Sequence, residues 1–250
     1  MSNDSVSLAD PLWFPPSLGY QSMLTKHDRE AAYRVCTYWW AWCVLEELNH
    51  PDVLDLGCGS GYGCKIMAQR HHDTAVVGVD EHAGAIMVAR NSFDLDNIHY
   101  HQLNLDMEWR QVLDGAMANM ITCFQLLESI HRDGLFLLDI CRRVAPDGIF
   151  LLSLKRMEGE GETSRAIEQH DLQDTQYSVT DTEDLLSRFF GDVVVMNDRN
   201  VTTIIDNSKH ALRKSCMFVR TLNRTYPRLE NGFGQTLFAC WNPLKPGECR

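Results

Sequence analysis

The sequence has no apolar run of the roughly eighteen residues that a bilayer-spanning helix requires, so no membrane span is expected. It opens on Met1-Ser-Asn-Asp-Ser5, acidic and polar, without the basic start and apolar stretch of a secretory signal. No Cys-x-x-Cys pair occurs among the nine cysteines, and an odd total argues against a disulfide framework or a zinc ribbon. Cys123 sits in the apolar run Met120–Phe124, where a thiol behaves as a small hydrophobe. Reduced thiols in a cytoplasmic setting are the reading that fits, with no metal site. Basic residues are scarce: 23 Lys and Arg face 34 Asp and Glu, for a net charge of −11. A nucleic-acid surface needs a basic footprint, so nucleic acid is disfavoured as a partner. Repeats and low-complexity tracts are absent too, which excludes a solenoid. Nothing in the chain fixes an oligomeric state.

What is present is an ordinary globular composition, 44% apolar and 9% aromatic over 250 residues, enough for one α/β domain. Residues 1–26 read as an irregular arm with Pro11, Pro15 and Pro16 among Trp13, Phe14 and Tyr20. From His27 onward Ala31, Val35, Trp39, Trp42 and Leu45 recur at spacings of three and four, which predicts a helix. Tyr38 to Trp42 belongs to that helix and reads mainly as core. Strands are then predicted at Val53–Leu56, Ala75–Val79, Ile98–Leu103, Met117–Phe124 and Ile149–Leu154, with helices between them. Pro146-Asp-Gly148 reads as a turn, because Pro presets φ and Gly accepts a positive φ. A late helix at Thr182–Phe190, a strand at Val193–Met196 and a closing strand at Thr236–Trp241 complete the pattern.

Such alternation predicts a mostly parallel seven-stranded α/β sheet, helices on both faces and a final antiparallel strand. Three parts of one domain are expected: an arm and helix over 1–50, a binding core over 51–155, and an acceptor-side loop with C-terminal strands over 156–250. Ligands of open α/β sheets bind beyond the carboxyl ends of the strands, at the switch point in strand order. The exit of the first strand is therefore where function is expected.

That exit reads Val53-Leu-Asp-Leu-Gly-Cys-Gly-Ser-Gly-Tyr-Gly63. Gly57, Gly59 and Gly61 allow a sharp turn and close approach of backbone to ligand, and amides at a following helix start suit a carboxylate. Asp80 ends the second strand, where an acid can accept both hydroxyls of a ribose. The dinucleotide frame Gly-x-Gly-x-x-Gly/Ala fails here: begun at Gly57 it meets Tyr62, and begun at Gly59 it meets Cys64. Asp55, two residues before the first glycine, suits a cationic group such as a methionyl amine better than a pyrophosphate. A nicotinamide oxidoreductase is accordingly the weaker alternative.

At this point the chain resembles the class I S-adenosylmethionine-dependent methyltransferases, with a Rossmann-like fold. Val53–Gly63 resembles the first motif of that family, and Asp80 its ribose-binding acid. Met120–Ile130 resembles the motif at the end of its fourth strand, and Arg143–Ile149 its Arg-Val-Leu-Lys-Pro-Gly-Gly segment. Two departures stand out: Asn104 occupies the place of the acid that contacts adenine, with Asp106 nearby, and Ser129 replaces a common His. The resemblance implies S-adenosyl-L-methionine as cofactor and S-adenosyl-L-homocysteine as product. It implies cofactor contacts from Asp55, Gly57, Cys58, Gly59, Gly61, Asp80, Glu81, Asn104, Leu105 and Phe124. No catalytic residue is assigned; His170 is a solvated candidate base, Glu128 a candidate pocket acid, and Tyr20 and His27 candidate covers.

Two segments are unusual in charge. Residues 157–184 hold nine acids against Arg165, and residues 199–228 hold seven bases against Asp206. The first is expected to be a cover over the acceptor. The second pairs with it or attracts an anionic acceptor. The expected activity is methyl transfer to a small-molecule or sugar-type acceptor, with a methyltransferase-like interaction subunit as the other alternative.

Overall fold

The computed structural model describes residues 37, 38, 41, 42, 44, 45, 48, 51–69, 73–106, 109–111, 116–155, 177–196, 235–245 and 247–249. The expectations on Tyr20, His27, His170 and both charged segments fall almost wholly outside these residues. What the described residues form is one seven-stranded sheet in the order β3-β2-β1-β4-β5-β7-β6. Its strands are β1 (Val53–Leu56), β2 (Val76–Asp80), β3 (Ile98–Gln102), β4 (Ala118–Phe124), β5 (Val144–Lys155), β6 (Phe190–Met196) and β7 (Gln235–Pro243). The helices are α1 (Tyr62–Ala68), α2 (Ala83–Ser92), α3 (Asp133–Arg143) and α4 (Val179–Leu186). β1 through β5 pair in parallel, while β7 runs antiparallel to both β5 and β6. This is the predicted sheet, antiparallel closing strand included. None of the described helices is long and apolar enough to cross a membrane.

Every residue of β1 is buried, because the strand lies in mid-sheet with both faces covered. One face carries Val53, Met67, Val76, Met120, Leu151 and the helical residues Tyr38, Ala41, Val44 and Leu45. The other carries Leu54, Leu56, Ile121, Phe150, Phe238 and the inward side of α3, with Trp109 set edge-on to Phe136 at 5.7 Å. The aromatic helix before β1 thus covers one face of the sheet.

Element edges differ from the sequence reading in two informative places. Pro146-Asp-Gly148 is not a chain reversal. β5 starts at Val144, and its register against β4 jumps from Ala118↔Val144 to Met120↔Ile149, so residues 145–148 form a bulge inside the strand. Local turn chemistry is satisfied there without ending the pairing. The late helix starts earlier than expected, at Val179, because Ser178 caps it: the Asp181 N–H donates to the Ser178 hydroxyl at 3.0 Å.

The neighbours β1 and β4 lie where the chain order reverses, since β2 and β3 build outward on one side and β5 on the other. A crevice at their carboxyl ends is the topological consequence.

Candidate cofactor site

β1 ends and the chain turns through three glycines with φ of 76° at Gly57, 54° at Gly59 and 82° at Gly61. Two of these glycines serve different physical ends. A Cβ on Gly61 would sit 2.6 Å from the Tyr100 hydroxyl oxygen and 2.7 Å from Ala89 Cβ, so packing against β3 and α2 demands glycine. A Cβ on Gly59 would meet nothing within 4 Å. Its bare backbone therefore faces open space, the condition for a ligand to approach the main chain closely.

Asp80 holds this turn against the end of β2. Its Oδ2 accepts the Gly59 N–H at 2.9 Å and its Oδ1 accepts the His82 N–H at 2.9 Å, with His82 Nδ1 3.3 Å away. A carboxylate has about four acceptor positions, so backbone capping leaves capacity for a ligand's hydroxyls. The strand-end cap and the ribose acceptor are compatible roles for one residue. Beyond it lies a cavity of about 460 Å³ lined by Glu81, His82, Gln102, Leu103 and Asn104, within the usual size of a small-molecule site.

Asp55 is placed differently from the expectation of an amine contact. It has no exposed surface, and its oxygens accept Thr122 Oγ1–H at 2.6 Å, Tyr38 Oη–H at 3.1 Å and Cys64 Sγ–H at 3.4 Å. Strand alternation turns its side chain onto the face covered by the aromatic helix, not toward the crevice. Burial pushes the Asp55 carboxyl up to about 6 even though those three hydrogen bonds pull it down. Asp55 is a brace behind the turn.

Two other expected contacts are also interior. The Cys58 side chain is buried beside Cys64 against Gly78, and Leu105 packs in the core, which leaves only backbone for a ligand. Phe124 is half-buried and meets Tyr38 edge-on at 5.1 Å. Asn104 lines the cavity while its Oδ1 accepts the Asp106 N–H at 3.0 Å. Asp106 is turned elsewhere, to the His131 N–H at 3.3 Å and the His131 ring at 3.2 Å.

The profile described as "Methyltransferase domain" matches residues 49–193, more than half of the chain. The chain belongs to that methyltransferase family. The match spans β1 through the middle of β6 and so contains the glycine turn, Asp80 and the cavity. The nicotinamide reading falls away with the family assignment. Among curated proteins, the methyltransferase chain is 29% identical over 100 residues to the malonyl-[acyl-carrier protein] O-methyltransferase of Acetivibrio thermocellus, covering 36% of this chain and 35% of that one. It is 31% identical over 119 residues to the ubiquinone biosynthesis O-methyltransferase of Bartonella tribocorum, covering 45% and 44%. The chain therefore spans less than half the length of these relatives. Among solved structures, the plantazolicin methyltransferase BpumL, in complex with a triazolic desmethylPZN analog and SAH, superposes with a TM-score of 0.57 at 11% identity, over 91% of this chain and 94% of that one. The phosphoethanolamine N-methyltransferase 2 of Haemonchus contortus superposes at 0.53 and 17% identity, over 77% and 49%. At those identities the likeness is one of fold.

The residues present fit the cofactor. Gly59 offers a backbone with open space where a side chain would stand, the Asp80 carboxylate accepts its N–H, and the residues that follow Asp80, Glu81 and His82, line the cavity. Missed by the sequence reading were the roles of Tyr38, Thr122 and Cys64 around Asp55. Only the three-dimensional meeting of the first helix, β1, β4 and α1 reveals them.

Proposed function

We propose that the chain binds S-adenosylmethionine with its nucleoside in the Asp80–Asn104 cavity and transfers the methyl group to a small-molecule acceptor. The observation that carries this reading is the Asp80 carboxylate, bonded to the Gly59 N–H and next in the chain to Glu81 and His82, which line a cavity of about 460 Å³. When bound, S-adenosylmethionine supplies a methyl group already activated on a positively charged sulfur. Asp80 accepts the ribose hydroxyls, Gly59 lets the main chain come close, and Asn104 meets the base with its amide. The bound cofactor would supply the methyl carbon to the acceptor atom, with the carbon–sulfur bond breaking and its electron pair staying on sulfur. The acceptor's proton leaves to water or to a nearby base. Alignment of this kind lowers a barrier by as much as ~7–11 kcal/mol, and a general base matters only where the acceptor must lose its proton early. Both curated relatives carry O-methyltransferase names, which supports oxygen as the acceptor atom. The net charge of residues 199–228 supports an acceptor that can be anionic.

Calorimetry with S-adenosylhomocysteine checks the cofactor half. Asp80→Ala should lose roughly 1.5–3 kcal/mol of binding, the worth of a hydrogen bond to a charged group. An unchanged affinity removes Asp80 from the ribose. The loop after β3 gives a second expected result. Asn104→Ala should weaken binding, while Asp106→Ala should not, because the Asp106 carboxylate is engaged by His131. The reverse ranking would assign adenine to Asp106. Transfer of label from methyl-tritiated cofactor to any small acceptor excludes the interaction-subunit alternative.

A further inference from the structure

Two cysteines meet at the amino ends of the parallel strands, the end of the sheet opposite the crevice. α3 ends on Arg143 and β5 begins at Val144, so Cys141 lies in the last turn of that helix. There the start of β6 meets the end of β7, with Phe190 paired to Pro243. The Leu244 N–H donates to the Phe189 carbonyl at 2.8 Å. The Cys141 thiol joins the same two residues, reaching the Phe189 carbonyl oxygen at 3.0 Å and that of Leu244 at 3.4 Å.

After β7 the chain turns back on itself. The Lys245 N–H donates to Glu248 Oε2 at 3.0 Å, and the Glu248 N–H donates to the Lys245 carbonyl at 2.9 Å. Gly247 takes φ 103°, which only glycine adopts freely. This turn brings Cys249 Sγ to 3.8 Å from the Leu244 carbonyl oxygen that Cys141 also meets, and to 3.7 Å from that of Lys245. The two thiols are hydrogen-bonded to each other, although more than a hundred positions of chain separate them. Cys141 is buried and Cys249 half-buried, so an interior thiol touches one that a dissolved oxidant reaches. Cys58 and Cys64 also converge, over Gly78, but both are buried, and buried thiols are inert.

We propose that Cys141 and Cys249 form a reversible disulfide, made by a low-molecular-weight disulfide such as oxidised glutathione, that latches the segment after β7 to α3. The Cys249 thiolate attacks one sulfur of glutathione disulfide, which forms a mixed disulfide and releases one glutathione thiolate. Cys141 then loses its proton and attacks the Cys249 sulfur, releasing the second glutathione. The protein's two thiols are oxidised to one disulfide, and glutathione disulfide is reduced to two thiols. Burial pushes the Cys141 thiol up to about 12, with the charge of Cys249 and the hydrogen bond to it adding to the rise. Both of those contributions vanish once the Cys249 sulfur is tied in the mixed disulfide, so the first step eases the second. The latch lies at the far end of the strands from Gly59 and Asp80. It therefore acts on stability and leaves the cofactor site alone.

The test incubates the full chain, reduced and freed of reductant, with glutathione disulfide. An unreduced digest should yield the Cys141 peptide joined to the Cys249 peptide, lighter by two hydrogens than the free pair. The melting temperature should rise by roughly 5–15 °C, because a disulfide stabilises most when it closes a long loop. Dithiothreitol should reverse both changes, and affinity for S-adenosylhomocysteine should be equal in the two states. Cys249→Ser should lose the link and the rise in melting temperature while melting with the reduced wild type. Cys141→Ala should instead retain one glutathionyl group on Cys249, the first step trapped. A glutathionyl group that persists on Cys249 of the wild type, a link between other cysteines in its place, or thiols left free overturns the proposal. So does a linked form that melts no higher than the reduced protein, or one that binds S-adenosylhomocysteine more weakly.

Discussion

Gly61→Ala should cost about 2–5 kcal/mol of folding stability and abolish cofactor binding at concentrations that saturate wild type. Two effects act together. Gly61 sits at φ 82°, where a Cβ collides with the following carbonyl at roughly 1–2 kcal/mol. The added methyl also meets the Tyr100 hydroxyl oxygen at 2.6 Å, Tyr100 Cε1 at 2.9 Å and Ala89 Cβ at 2.7 Å, an overpacking that typically costs ~1–3 kcal/mol. Tyr100 cannot yield cheaply, because its hydroxyl donates to the Gly61 carbonyl at 3.2 Å and ties β3 to the turn. Gly61 is moreover the residue before α1, and its carbonyl accepts the Lys65 N–H that starts that helix. Any relief of the clash therefore displaces the turn that carries Gly59. Gly59→Ala is the informative control. Its Cβ meets nothing, so the loss of stability should stay near the φ penalty alone, while binding still falls because the methyl projects into the crevice. Urea unfolding and calorimetry on the two variants separate packing from approach. Equal stability losses would mean that the contacts around Gly61 relax at little cost.

Asp55→Asn should remove a pH dependence of folding that the wild type carries between about pH 4 and pH 6. Burial lifts the Asp55 carboxyl to about 6 in the folded chain, with the charge of Asp80 adding to the rise. An unfolded aspartate titrates near 3.9. The folded state therefore binds this proton more tightly than the unfolded state. The stability contributed is fully present below the unfolded value and is lost as pH rises through about 6. A shift of this size corresponds to ~3 kcal/mol. Subtracting the urea-derived stability of the Asn variant from that of wild type, across pH 4–8, isolates this group from every other titrating side chain. A pH-independent difference would mean that Asp55 keeps an ordinary carboxylate pKa. Above pH 6 the wild type carries a buried anion directly behind the glycine turn, 3.1 Å from the Tyr38 hydroxyl oxygen and 2.6 Å from that of Thr122. The same substitution should therefore weaken S-adenosylmethionine, which bears a sulfonium charge, more than S-adenosylhomocysteine, which does not.

The different fates of Asp55 and Asp80 show how far a one-dimensional reading reaches. Both acids stand out in the sequence for the same reason, their spacing from the glycines. Asp80 is the last residue of its strand, where the chain leaves the sheet, and its carboxylate meets Gly59 and the crevice. Asp55 is still inside β1, one residue short of its end, and strand alternation directs it into the interior. Spacing marks both as unusual but does not say which way each side chain faces. A similar difference separates Asn104 from Asp106. The two are neighbours in one loop, yet one lines the cavity and the other reaches His131.

The order of strands and helices, the parallel core with its antiparallel closing strand, the glycine turn and the family were all determined by the sequence alone. Each is a local or periodic property: apolar strands of a few residues, helical spacing between them, and a turn that only glycine satisfies. Tertiary structure decided what those elements bring together. Tyr38 and Asp55 are seventeen positions apart, and Thr122 lies sixty-seven beyond Asp55, yet they share one buried hydrogen-bond cluster. The bulge at residues 145–148 likewise exists because β5 must stay paired to β4 despite a sequence that favours a turn. Ser153 reads as an unremarkable polar residue in a strand until its pairing with β4 and β7 leaves its buried hydroxyl without a partner among the described residues. Strand pairing and burial are non-local, and the free energy that sets them is spread over residues far apart in the chain.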